Sequence, residues 1–133
     1  GLGAADLWSA PVASSSLRLL GLVRHLSDVE YWWFGHVLHG ARDLPFYGTE
    51  EDSRFDFAGA AGADPREAFE RYRAAVAFAR EVAAGYPLDH VVTGADGEPV
   101  TARWIHLHML EEYARHNGHA DLLREAVDGV TGE

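Results

Sequence analysis

Three residues in this chain have metal-ligating side chains at positions where a greasy one is expected. On the last helical stretch, Glu112 and His116 are spaced i, i+4, so they stand one turn apart on one face. Winding the sequence at about 100° per residue places Ile105, Met109, Ala120 and Leu123 on that same stripe. A carboxylate buried there is costly unless something positive satisfies it, and a divalent metal ion is the cheapest such partner. A third ligand is available in His25. The same winding puts it on one side of its helix with Leu22, Leu26, Val29, Trp32 and Trp33, with Arg24, Ser27, Asp28 and Tyr31 pointing the other way. Two histidines and a carboxylate on facing helices form a common catalytic metal arrangement, with positions left open for water or substrate.

The residues alone leave a rival. His108 lies four before Glu112, so His25, His108 and Glu112 satisfy the same spacing. His119 lies three after His116 and seven after Glu112, about 10.5 Å along a helix. It is therefore read as an acid, a base or an outer partner beside the site. Each residue also has an ordinary structural reading. A single core histidine is usually just hydrogen-bonded, and a Glu–His pair one turn apart is usually a surface pair. What favours chemistry is that the polar residues interrupt apolar stripes on two separate helices. His36 lies three turns beyond His25, out of reach, and with His39, His90 and His106 is read as surface or rim. Trp32, Trp33 and Trp104 are read as core, with Trp32 able to wall a pocket.

These side chains need elements to position them. Residues 1–13 read as irregular. Ser14, Ser15 and Ser16 offer N-cap hydroxyls for a helix running to about His39. Residues 40–63 form a long linker, a lid or a crossover, carrying Pro45, the acidic run Glu50-Glu51-Asp52 and several aromatics. Asp64, Pro65 and Glu67 open the next helix as a cap, a first-turn proline and a capping box. Its expected core stripe is Ala68, Phe69, Tyr72, Val76, Ala79, Val82 and Ala83, ending near Gly85. A short extended piece is expected at His90-Val91-Val92 before the Asp96-Gly97 turn, and Thr101 or Pro99-Val100 opens the last helix, which runs to about Val127. Three long helices point to an all-α bundle, one helix short of the usual four.

Composition narrows the chemistry. The 133 residues make one domain, 1–133. There is no cysteine, so a metal must take histidine, carboxylate and water, which suits zinc, nickel or another first-row divalent ion. A net charge of −10 argues against nucleic acid and anionic membranes as partners. No apolar run approaches the roughly 18–20 residues of a membrane span, and no signal pattern is present, so a cytoplasmic location is expected. All 11 basic residues are arginine, a bias expected of a GC-rich genome, and the chain begins at Gly1 without methionine, so its start is expected to lie upstream.

The stretches Leu19-Leu20-Gly21-Leu22-Val23-Arg24-His25-Leu26 and Glu111 to Glu125 resemble the DinB-like superfamily, in its actinobacterial branch of small proteins. The resemblance spans nearly the whole chain. It implies a four-helix bundle with a long crossover and a divalent metal at one end of the core. Most members use three histidines, one from the second helix and two at i, i+4 on the last. In the branch similar to mycothiol-dependent maleylpyruvate isomerase, the first of that pair is glutamate. Carried over by position, the ligands are His25, Glu112 and His116, which demotes the His108 set. Members usually carry another amphipathic helix before the segment matching Gly1–Ser16. Its absence here implies an N-terminally incomplete bundle, or a gap filled by a second copy in a homodimer.

The activity this implies is a metal-dependent S-transferase or isomerase that uses a low-molecular-weight thiol, such as mycothiol, on a small electrophile. A thiol on a divalent ion loses its proton, and the thiolate attacks an electrophilic carbon. In this scheme His119 moves a proton, Arg115 or Arg124 contacts an anionic group, Trp32 lines the pocket and the linker covers it. Two other readings share the metal: a non-enzymatic bundle serving stress response or sequestration, and a hydrolase with metal-bound water as nucleophile.

Overall fold

A computed structural model describes residues 1–49, 52 and 54–132; Glu50 and Glu51 of the acidic run lie outside the described residues. Among them the chain is mostly helical, with one small hairpin. The order is α1 (Ala4–Trp8), α2 (Leu19–Glu30), α3 (Phe55–Ala58), α4 (Pro65–Ala84), β1 (Val91–Thr93), β2 (Pro99–Thr101) and α5 (Ala102–Asp128). Residues 1–13 are thus not wholly irregular, since Asp6 folds back to accept the Gly3 N–H and closes a single turn.

The serine triplet does not cap α2. Arg18 is its N-cap and supplies no side-chain bond, while Ser15 instead accepts the N–H of Leu17. α2 runs without a break into a π-helix, Tyr31–Leu38, whose wider turns show in the bond from His39 N–H to the Phe34 carbonyl. α2 is packed by α4 and α3 as well as by α5 and α1, so it is buried on more than one side. That corrects the single-stripe reading: Arg24, Ser27 and Tyr31, expected to face solvent, are buried, and Trp32 is exposed. Arg24 tolerates burial because its guanidinium donates to the Phe55 and Gly59 carbonyls and lies over the Tyr47 ring.

α4 begins as expected at Asp64, but the cap bond goes to the Arg66 N–H. Glu67 does not close a capping box; it pairs with Arg71 and accepts the Tyr47 hydroxyl. Ala68, Ala79 and Val82 are buried as expected, together with Ala75. The extended piece is half of an antiparallel hairpin that pairs Val91 with Thr101 and Val92 with Val100. Gly97, at φ +85°, takes the left-handed turn position. Thr101 ends β2 and caps α5 by accepting the Trp104 N–H at 3.1 Å. Gly129, at φ +75°, terminates α5 in the left-handed conformation that glycine tolerates best.

The larger core joins Phe34, Val37 and Leu38 to Ala79, Val82, Ala102, Ile105 and Met109. A smaller one gathers Leu20, Ala60 and Ala68 under Leu7 and Trp8. Leu20 and Ile105 are fully buried, each contributing roughly 1.5–3 kcal/mol by leaving water. His25 sits between Leu20 and Phe34 on one helical rod, and Glu112 and His116 sit between Met109 and Leu123 on the other. The polar residues therefore lie between apolar layers.

Candidate metal centre

α2 and α5 bring His25, Glu112 and His116 together, with one donor atom from each lying within 4.8 Å of the others. Glu112 Oε2 is 3.2 Å from His116 Nε2 and 3.8 Å from His25 Nε2. The two imidazole rings meet edge to face, 4.6 Å between centroids. Glu112 and His116 are 9% and 7% exposed, so neither is an ordinary surface residue of a helical pair. Burial lowers the His116 pKa first, with the charge of His25 acting the same way, so its imidazole favours the neutral form that can donate to a metal.

The donor set fits a divalent ion. Two nitrogens and one carboxylate oxygen converge, and the chain has no cysteine to add a thiolate. His108 joins the neighbourhood but not this group. Its Nε2 stands 3.5 Å from Glu112 Oε1, the oxygen directed away from His25 and His116. Arg115 reaches the same Oε1 at 3.4 Å while remaining largely exposed. His119 Nδ1 lies 3.3 Å from His116 Nδ1, on the far edge of that ring from Glu112. Arg124 is paired with Asp128 one turn along, and it lines the same cavity as His116.

Two cavities flank the centre. One, of about 470 Å³, is lined by His25, Val29, Trp32, His36, Phe46 and Asp56, among others. His25, Trp32 and His36 thus do share a face, but it borders a cavity instead of a packed core. Trp32 walls this cavity and stacks on His36, which is out of ligand range yet not a mere surface residue. The other cavity, of about 360 Å³, is lined by His116, Leu22, Leu26, Phe69 and neighbouring residues. Trp104, expected in the core, is 45% exposed, and its ring lies over His108 in a near-parallel stack.

One residue at the centre escaped sequence reasoning. Asp56 Oδ2 stands 2.7 Å from His25 Nδ1, and Asp56 is buried. It belongs to α3, within the segment expected to be a bare linker, where four residues give no periodicity to read. The only available signal was an acid set between Phe55 and Phe57.

Comparison with curated proteins and with solved structures yields no match. A family model does match, over residues 1–129, and its description is mycothiol-S-transferase (MST). This agrees with the DinB-like resemblance carried by residues 19–26 and 111–125. The chain belongs to the mycothiol-S-transferase family.

Proposed function

We propose that this protein is a metal-dependent S-transferase that joins mycothiol, or a closely similar thiol, to a small electrophile. The observation that carries the reading is the convergence of His25, Glu112 and His116 within 4.8 Å, in a chain of this family that has no cysteine. The reacting sulfur must come from a co-substrate. A bound divalent ion, with zinc the best match to two imidazoles and a carboxylate, would supply a Lewis acid that favours the thiolate.

The chain's own residues do the rest. His25, Glu112 and His116 hold the ion, and burial keeps His116 neutral for that task. His108 and Arg115 keep the second oxygen of Glu112 occupied, so its carboxylate cannot swing freely. Arg115 thereby serves the ligand in preference to an anionic substrate. His119, beside His116, carries the proton released when the thiol ionises. The flanking cavities suit a reaction of two substrates, and Trp32, Val29 and Phe46 give the His25 side apolar walls. The supporting scaffold is a single DinB-like bundle acting in the cytoplasm, with a homodimer covering the apolar side chains Leu107 and Leu110 that α5 exposes.

The reaction balances as thiol plus alkyl halide giving thioether, halide and a proton. The test is a spectrophotometric assay of mycothiol with a chromogenic alkyl halide, using zinc-loaded protein. Conjugation should require both thiol and protein, stop on chelation and return with zinc. A rate no faster than thiol and halide alone would overturn the reading.

A further inference from the structure

Of the buried acids to which the metal reading gives no task, Asp56 is the one that touches a member of the triad. Asp56 is 4% exposed, and a carboxylate so buried is costly unless hydrogen bonds satisfy both oxygens. Oδ1 accepts the Phe57 N–H at 2.7 Å, and Oδ2 faces His25 Nδ1 at 2.7 Å. Neighbouring contacts fix the segment in that place. Arg24, adjacent to His25 in sequence, donates to the Phe55 and Gly59 carbonyls on either side of Asp56. Phe57 stacks on the His25 ring, 4.7 Å between centroids.

We propose that Asp56 is the positioning residue for His25. It accepts the Nδ1–H, leaves the Nε2 lone pair free and turns that nitrogen towards Glu112 and His116. A neutral imidazole carries one proton, and the partner of one nitrogen decides which nitrogen is left to bind a metal. Here the two edges are cleanly divided, Nδ1 to Asp56 and Nε2 to Glu112 Oε2. A carboxylate at the far nitrogen also restrains the ring and raises its basicity, and loss of such a partner weakens metal binding about 10- to 100-fold. The proposal rests on the metal reading given above.

The test is a Co(II) titration of the full chain, following the visible bands of the bound ion, for wild type, Asp56→Asn, Asp56→Glu and Arg24→Met. Thermal melts by circular dichroism check folding. Asp56→Asn should bind Co(II) about 10- to 100-fold more weakly with shifted bands, and Asp56→Glu should recover part of the affinity. Unchanged affinity and bands in Asp56→Asn would overturn the role of Asp56 and leave the metal site standing. Arg24→Met loosens the same segment but keeps the acid. A loss there equal to that of Asp56→Asn would assign the effect to segment docking and overturn the proposal. If wild type takes up no Co(II), the metal reading itself falls, and this inference with it.

Discussion

His116 Nε2 stands 3.2 Å from Glu112 Oε2, one turn along the same helix, while His108 Nε2 approaches the other oxygen, Oε1, from one turn before. Glu112 is thus gripped from both sides along α5. Only its Oε2 side also faces His25 on α2. This division separates the two spacings that are indistinguishable in sequence.

It leads to unequal outcomes for two similar substitutions. His116→Ala, like Glu112→Gln, should abolish stoichiometric metal in the purified protein. His108→Ala removes an outer partner and should weaken binding by no more than about 10- to 100-fold. Metal analysis and zinc titration of the three variants check this, and a chain that loses its metal with His108→Ala but not with His116→Ala would reverse the assignment.

His119 touches His116, a proposed ligand, without belonging to the converging triad. His119→Gln should keep the full metal content and slow thiol conjugation by about 10²- to 10⁴-fold, the usual range for losing a positioned proton carrier. The check is kcat measured at equal metal loading. Loss of metal in this variant would show that the residue supports His116 and nothing more.

Arg24 contributes to stability through the crossover. Replacing it with methionine keeps an apolar stem but leaves the Phe55 and Gly59 carbonyls without their donors. Arg24→Met should cost about 2–4 kcal/mol, since each bond involves a charged donor. Urea unfolding should show a lower midpoint at an unchanged slope.

Glu30 predicts a pH effect. Burial raises its pKa from the usual carboxylate value, and the Tyr113 hydroxyl, which donates to it, pulls the other way. Folding therefore favours the protonated acid, a contribution to stability present below the unfolded value and lost as pH rises through the folded one. At neutral pH the wild type carries a cost that an uncharged amide of the same shape avoids. Glu30→Gln should melt at or above the wild-type temperature near pH 7, with the gap closing as pH falls to the ordinary carboxylate range. Thermal melts across that window test it, and a variant that melts well below wild type at neutral pH would contradict the sign.

The long helices and the convergence of His25, Glu112 and His116 were legible because a 3.6-residue period leaves a mark, and Glu112 and His116 broke that mark on α5. α4 was readable for the same reason, from Asp64 to Gly85. The environment of α2 was not. A helix packed by several neighbours has more than one buried face, so Arg24, Ser27 and Tyr31 look solvent-directed when only one stripe is assumed. The π-turns of Tyr31–Leu38 then change the period in mid-rod. Asp56 was invisible for another reason. Its partner His25 is far away in sequence, and nothing local in a four-residue helix announces a long-range hydrogen bond.

His25 enters the chain early, whereas Glu112 and His116 arrive on its last helix. Synthesis proceeds from the N-terminus, so every shorter intermediate that lacks α5 carries one proposed ligand of the three. Such a fragment has nothing with which to complete the coordination sphere. Retained metal would therefore report that synthesis has passed His116, separating such chains from shorter ones before any catalysis is measured.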